Sequence, residues 1–343
     1  MNTSKNASGI GDRPVRLGML SMAHLHGWSY ADCMARMPGV EFVGIYHENA
    51  EQGKQYAQHF GTRYFASVSE LLDLVDGVVI ASTNRRHEEL VLAAVEKGKA
   101  ALCEKPLAIN AEAGARMVRA AREAGVPLFT AFPCRFIPSV ERARQIIRSG
   151  RIGRVLAING TNHGTMPGGW FTDPQEAGGG ALIDHTVHVA DLIRWFLDAE
   201  VTEVYAEYDR RLYDIPVEDC AILTMEIEGG IFATLDASWS RPRSFPFWGD
   251  VTMGIQGTAG VIRLDAFDQV MTLYSDKQMR PTWQFFGESA DYRMIAEFAR
   301  VIREGGPTQL ATGLDGLRAA EVAFAAYEAG RRHEPVRLQP VSV

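Results

Sequence analysis

Two short stretches of the chain combine groups that can move protons. Glu104-Lys105-Pro106 sets an ammonium beside a carboxylate, and eighty residues later Asp184-His185-Thr186-Val187-His188 sets two imidazoles beside another. A cation stabilises negative charge growing on an oxygen. An imidazole, with an ordinary pKa of about 6.5, takes a proton near neutrality. At i, i+4 on a helix, the Asp184 carboxylate can orient the His188 ring. Such groups suit the removal of a hydroxyl proton while a hydride leaves the neighbouring carbon, and we expect an enzyme.

Periodicity supplies the elements that must position these groups. Residues 15–20, 40–45, 77–81, 100–103 and 127–130 are short apolar runs that predict strands. Between them, 86–97 and 110–124 carry helical spacing and stop at Gly98 and Gly125. Strand and helix in alternation imply α/β architecture, a doubly wound parallel sheet. Lys105 then stands just past the carboxyl end of a strand, the edge where such sheets bind ligands. Beyond about residue 150, strands are expected at 155–162, 201–208, 220–227, 231–238 and 251–256, with a hairpin at Glu228-Gly229-Gly230. Helical patterns return at 179–197, 289–304 and 313–331. The second domain is therefore expected to be α+β, around a large open, mostly antiparallel sheet. The expected division is a flexible tail at 1–14, a nucleotide-binding domain at 15–131 and a substrate and oligomerisation domain at 132–343. In a helix over 184–197, Asp184, His188, Asp191 and Trp195 share an arc opposite Ile183, Val187, Ala190, Ile193 and Leu197, so one face packs and the other is expected to line a pocket.

A dinucleotide-binding sheet usually carries G-x-G-x-x-G after its first strand. Here the stretch is Ser21-Met22-Ala23-His24-Leu25-His26-Gly27, with Ser21 and Ala23 at the first two glycine positions and His26, or Gly27 with a shift of one, at the third. Backbone N–H groups at the helix start and the Ser21 hydroxyl remain to bind phosphate. The second strand ends at Ile45-Tyr46-His47-Glu48-Asn49. There a carboxylate suits the ribose diol of NAD and a basic residue the 2′-phosphate of NADP. Glu48 favours NAD, and His47 takes the position usual for the acid.

Composition bounds the partners. Of 343 residues, 46% are hydrophobic and 22% charged, and the net charge of -7 comes from 35 basic and 42 acidic residues without a block of one sign. That distribution argues against nucleic acid or an anionic membrane as partner and favours a small neutral or polar ligand. No apolar run approaches the roughly 18 residues of a membrane span, and residues 1–16 have no signal-peptide core. Cys33, Cys103, Cys134 and Cys220 lie far apart with no C-x-x-C pair, as free thiols in the cytoplasm would.

Several segments recur in a familiar order: Val78-Val79-Ile80-Ala81-Ser82-Thr83-Asn84 with His87, Glu104-Lys105-Pro106, Arg135-Phe136-Ile137-Pro138, Ser149-Gly150-Arg151-Ile152-Gly153, Gly178-Gly179-Gly180-Ala181-Leu182-Ile183-Asp184 with His188, and Gly257-Thr258-Ala259-Gly260. In this order and spacing the chain resembles the glucose-fructose oxidoreductase / inositol dehydrogenase (Gfo/Idh/MocA) family from residue 15 to about 338. The resemblance implies a Rossmann domain followed by an α+β domain whose open sheet serves a homo-oligomer, dimer or tetramer. It also implies oxidoreductase activity with NAD or NADP on a sugar, polyol, cyclitol or related carbonyl compound. Lys105, Asp184 and His188 take the family's catalytic positions. The implied cofactor contacts are Ser21, Met22, Ala23, His26, His47, Glu48, Ser82, Thr83, Asn84, Glu104 and Lys105. The implied substrate contacts are Lys105, His163, Trp170, Asp184, His185 and His188. The altered glycine fingerprint is the departure from the family pattern.

On this reading His188 takes the hydroxyl proton, Lys105 polarises that oxygen, and Asp184 orients the pair in a cleft between the domains. Lys105 as the proton carrier is the open alternative. His185 touches substrate or caps neighbouring backbone. Asp184, His185 and His188 could also form a two-histidine, one-carboxylate metal set, but the chemistry needs none and no metal is expected. Arg135 and His87 are expected to be structural, and Trp239, Trp248 and Trp283 to lie in the core or a subunit interface. Two other functions use the same residues: elimination or glycoside cleavage with transient oxidation by a retained NAD, and a dinucleotide-binding regulator without turnover.

Overall fold

The computed structural model describes residues 13–343. They form two compact units: residues up to 133 with 290–317 and 341–343 make the first, and 134–289 with 318–340 the second. The division therefore differs from one cut after residue 131, because a late segment returns to the first unit. Residues 1–12 of the expected tail lie outside the described residues. Arg13 is anchored, its guanidinium donating to both oxygens of Asp76 at 2.7 and 2.8 Å.

In the first unit, β1 (Val15–Leu20), α1 (Gly27–Arg36), β2 (Val40–Tyr46), α2 (Ala50–His59), β3 (Arg63–Phe65), α3 (Val68–Leu72), β4 (Gly77–Ile80), α4 (His87–Glu96), β5 (Ala100–Cys103), α5 (Ala111–Ala124) and β6 (Leu128–Thr130) alternate. The strands lie side by side in the order β6-β5-β4-β1-β2-β3, all parallel. Gly77-Val78-Val79-Ile80 and Ala100-Ala101-Leu102-Cys103 are buried at every position, because helices cover both faces of a parallel sheet. Asn49, Ser67 and Asn110 cap α2, α3 and α5 with their side chains, and Gly125, at φ 64°, ends α5 in the left-handed region.

The second unit begins with α6 (Pro138–Arg148) and β7 (Val155–Gly164), then α7 (Pro174–Ala177) and α8 (Ala181–Leu197). Strands β8 (Val201–Asp209), β9 (Cys220–Ile227), β10 (Ile231–Ser238), β11 (Gly249–Gly257) and β12 (Val261–Asp265) follow, and β13 (Val270–Ser275) and β14 (Arg280–Phe285) form a separate two-stranded ribbon. The main sheet runs β12-β11-β7-β10-β9-β8. Its pairs are antiparallel except β7 with β10, which are parallel. Strand β9 alternates buried and exposed positions along its length, the mark of a sheet covered on one face. Helix α8 covers that face, against β7 and β10.

The last segment, α9 (Ala290–Glu304), β15 (Ala311–Thr312), α10 (Gly313–Arg332) and β16 (Val336–Arg337), serves both units. Strand β15 extends the first sheet antiparallel to β6, and Phe298 of α9 packs edge-on to Phe129. Strand β16 closes the second sheet beside β8. Among the described residues, no helix is long and apolar enough to cross a membrane.

Candidate active site

The turn after β1 is pinned to its neighbours by backbone bonds, from Ser21 N–H to the Tyr46 carbonyl at 2.8 Å and from His24 N–H to the Ala81 carbonyl at 2.9 Å. Ser21 sits at φ 70°, the left-handed conformation that glycine ordinarily supplies. Its hydroxyl donates to Glu48 Oε2 at 2.9 Å and accepts the Ala23 N–H at 3.2 Å, local bonds that hold a serine in that conformation. The close-packing role of the third glycine falls to Gly27 rather than His26: a Cβ there would lie 3.3 Å from both Ala81 Cβ and Met22 Cα. Met22 is buried beneath the turn.

His26 takes a different part. Its Nδ1 lies 2.9 Å from Glu104 Oε1, and its N–H donates to His24 Nδ1 at 3.1 Å. Glu104 is fully buried, and its other oxygen accepts the Lys105 N–H at 2.9 Å. Burial opposes the Glu104 charge, but His24, His26 and Lys105 outweigh it and hold the carboxyl well below its ordinary range. Burial likewise opposes a charge on His26, yet Glu104 prevails and the pKa is raised. His24, His26 and Glu104 bring three potential metal-ligand atoms within 4.8 Å. The lone pair of His24 Nδ1 is already committed to the His26 N–H, so the cluster is built as a hydrogen-bonded unit. Lys105, 4% exposed, follows at the carboxyl end of β5. His87 donates from Nδ1 to the Pro106 carbonyl of this loop at 3.0 Å, the structural part expected of it.

At the end of β2, His47 is buried, and its Nδ1 accepts the Asn49 N–H at 3.0 Å. Burial lowers its pKa, so the ring is neutral and builds the loop into α2. Glu48 faces Ser21. After β4, Ser82 is buried and its hydroxyl donates to the Thr83 carbonyl at 3.0 Å, Thr83 leads into a short 3₁₀ turn, and Asn84 is buried within that turn. These residues fit a dinucleotide. Helix α1 begins with no capping side chain and no acidic residue in its first turn, unlike α2, α3 and α5, which suits an anion at its N-terminus.

In the second unit, α8 starts without a cap of its own. Glu218, far off in sequence, supplies one: its Oε1 accepts the Gly180 N–H at 2.8 Å, the Leu182 N–H at 3.1 Å and the Tyr327 hydroxyl at 2.6 Å. A Cβ at Gly180 would lie 2.0 Å from the Glu218 carbonyl oxygen, so this approach requires glycine. Asp184 Oδ2 accepts the Trp239 indole N–H at 3.0 Å and lies 3.3 Å from His185 Nε2. His185 Nδ1 meets the Asn162 carbonyl at 2.8 Å. Trp239 is thus in the core, as expected, and also holds Asp184.

Two expectations are corrected. The polar arc of α8 is not an open face: Asp191 is 0% exposed and takes the Arg135 guanidinium at 2.8 and 2.5 Å, while the ring of Trp195 lies under the cations of Arg135 and Arg144. His163 parts from the α8 group. A Cβ at Gly160 would press on Val189, and one at Gly164 on His185, so the even positions of β7 face α8 and His163 faces away. There it lies 3.1 Å from Asp236 and 3.4 Å from Asp250, and these carboxylates raise its pKa to about 9. It braces the opposite face of the sheet. Trp170, in the turn Gly169–Thr172, stacks on Phe171 at 3.9 Å beside the apolar cluster of Ala181, Val217 and Trp239.

A parallel sheet in this strand order is the doubly wound class, which binds nucleotides at the carboxyl edge of its strands, and here it is followed by an α+β unit. Residues 18–132 match the oxidoreductase family, NAD-binding Rossmann fold, and residues 140–263 match the GFO/IDH/MocA C-terminal domain. Inositol 2-dehydrogenase 2 of Saccharopolyspora erythraea is 30% identical over 322 residues, 91% of this chain and 90% of that protein. The 1,5-anhydro-D-fructose reductase of Ensifer adhaerens is 38% identical over 205 residues, 58% of this chain and 62% of that protein. Of solved structures, GenD2 from gentamicin A biosynthesis, in complex with NAD, shares the fold with a TM-score of 0.87 at 22% identity, over 98% of this chain and all of that one. Levoglucosan dehydrogenase in complex with NADH and L-sorbose gives 0.83 at 23% identity, over 96% of this chain and 100% of that one. The chain belongs to the GFO/IDH/MocA family, and it is an oxidoreductase with an NAD-binding Rossmann unit.

Proposed function

We propose that the protein is an NAD(P)-dependent dehydrogenase or reductase of a sugar, polyol or cyclitol, with NAD the favoured form. The observation that carries this reading is the Glu104-Lys105 pair at the carboxyl edge of β5, tied through His26 to the turn at the start of α1. The names of the relatives, two of them an inositol dehydrogenase and an anhydrofructose reductase, support the substrate class. The bound nucleotide supplies the hydride acceptor or donor. The N–H groups at the uncapped start of α1 bind its phosphates, Ser21, Met22 and Ala23 shape and support the turn that presents them, and Glu48 accepts from the ribose diol. Ser82, Thr83 and Asn84 form the next part of the same edge. Lys105 stabilises the substrate oxygen as it loses its proton, His188 takes that proton, and Asp184, held by Trp239, orients the imidazoles of α8. His185 and Trp170 complete the substrate contacts.

The exposed side chains of Ile222 and Phe232 on the uncovered face of the second sheet support a homo-oligomer formed through it. Four free cysteines, three of them buried, fit a reducing compartment, the cytoplasm. The test is Lys105→Ala. Turnover should fall on the order of 10²-fold or more while calorimetry still detects nucleotide binding. Unchanged turnover contradicts the role.

A further inference from the structure

The carboxylate at the end of β2 does not stand alone. Glu48 Oε2 accepts the Ser21 hydroxyl, and Glu48 Oε1 pairs with Nη1 of Arg86, which lies in the 3₁₀ turn Asn84–Arg86 after β4. Arg86 is held in place by a second bond, from Nε to Glu89 Oε1 at 2.6 Å. Burial works against the guanidinium charge, but contacts with Tyr46, Glu48 and Glu89 outweigh it and raise its pKa, so Arg86 is a permanent cation. His47, the neighbouring titratable ring, is neutral and turned onto its own loop. A group that suits a ribose diol and a group that suits a phosphate therefore sit in contact, each quenching the other.

We propose that Arg86 is the specificity-determining partner of Glu48, and that their pairing selects NAD over NADP. With Glu48 charged, the fork of Arg86 is engaged and a 2′-phosphate meets the carboxylate first, so the phosphorylated nucleotide is rejected. With Glu48 neutralised, the same guanidinium is released at the ribose end of the site and binds that phosphate. Arg86 also has a positioning part, since it fixes the carboxylate that Ser21 holds from the other side. The proposal rests on Glu48 facing the adenosine ribose.

Titration calorimetry of the full chain with NAD⁺ and with NADP⁺, on the wild type, Glu48→Gln, Arg86→Ala and the double variant, tests it without any substrate. The wild type should prefer NAD⁺. Glu48→Gln should weaken NAD⁺ and tighten NADP⁺ by roughly 10-fold or more, the scale of one charge-assisted phosphate contact. Arg86→Ala should weaken NAD⁺ several-fold with no gain for NADP⁺, and the double variant should lose the gain of Glu48→Gln. A gain that survives in the double variant assigns the phosphate to another cation and overturns the proposal. If Glu48→Gln weakens NAD⁺ with no gain for NADP⁺, the proposal fails while the ribose reading stands. If Glu48→Gln leaves NAD⁺ binding unchanged, the ribose reading fails and the proposal with it. Arg86→Gln, which keeps a polar side chain, carries the same comparison if Arg86→Ala lowers the melting temperature.

Discussion

Removing the distant cap of α8 is the perturbation whose size follows most directly from the structure. Glu218 Oε1 serves the buried N–H groups of the cap residue Gly180 and of Leu182 in the first turn, and the hydroxyl of the half-buried Tyr327. Glu218→Ala leaves three donors without their acceptor. Each unsatisfied buried group costs about 1–3 kcal/mol, and loss of an anion at a helix N-terminus adds about 0.3–1 kcal/mol. Water entering the space left by the side chain recovers part of this, so a loss of about 3 kcal/mol or more is expected. At about 2–4 °C per kcal/mol for a unit of this size, the melting temperature should fall by about 6–12 °C. Glu218→Gln keeps an acceptor oxygen on the same stem and should cost only about 1 kcal/mol. Thermal melts of both variants, with turnover measured below the transition, provide the assay. Turnover should fall in Glu218→Ala, because Asp184, His185 and His188 ride on the helix whose start has been released. A loss below about 1 kcal/mol in Glu218→Ala, or an equal loss in Glu218→Gln, refutes the capping argument.

The His26 and Glu104 pair makes stability depend on pH from two sides. Glu104 is depressed, so its contribution is present above the unfolded carboxyl value of about 4.3 and is lost as pH falls through its folded value. His26 is raised, so its contribution is complete below about 6.5 and is lost as pH rises through its folded value. His26→Asn should therefore flatten the alkaline fall in melting temperature above about pH 6.5, and an unchanged slope contradicts the pairing. Asp191→Asn leaves the buried Arg135 without its counter-ion and should cost about 3–5 kcal/mol in urea unfolding at unchanged slope; a change below about 1 kcal/mol would place the pair in solvent. Light scattering should give an oligomer mass that Phe232→Glu reduces, and a monomeric wild type contradicts assembly through the second sheet.

The parallel sheet was legible because burial on both faces imposes unbroken apolar runs, as in Gly77–Ile80 and Ala100–Cys103. The hairpin at Gly229 and Gly230 was legible because both adopt positive φ, and the joined strands pair from Ile227 to Ile231 onward. Strands β3, β15 and β16 are two or three residues long, too short to show a period. The return of residues 290–317 to the first unit depends on the pairing of Ala311 with Thr130, a match that no local pattern encodes. At the site, Lys105 and Glu104 could be placed from the strand that precedes them. The polar arc of α8 misled, because its period was correct but the partner of Asp191 lies 56 residues away in Arg135. His163 misled for a related reason: alternation along β7 is visible in sequence, but which face α8 covers is not. No local pattern in the sequence marks the parts played by Arg86 and Glu218, whose partners lie far off along the chain. For His24 a signal was present, two histidines with one residue between them in a turn that usually carries glycine.

Dehydrogenase activity is measured by supplying the pure protein with NAD⁺ or NADP⁺ and a panel of cyclitols, aldoses and anhydrosugars, and following the reduced-nicotinamide absorbance band. Net reduction is expected with at least one member of the panel, reversed by the matching ketone or lactone with NADH or NADPH, and suppressed on the order of 10²-fold in Lys105→Ala. Bound nucleotide with no reduction in either direction across the panel would contradict the proposed dehydrogenase activity.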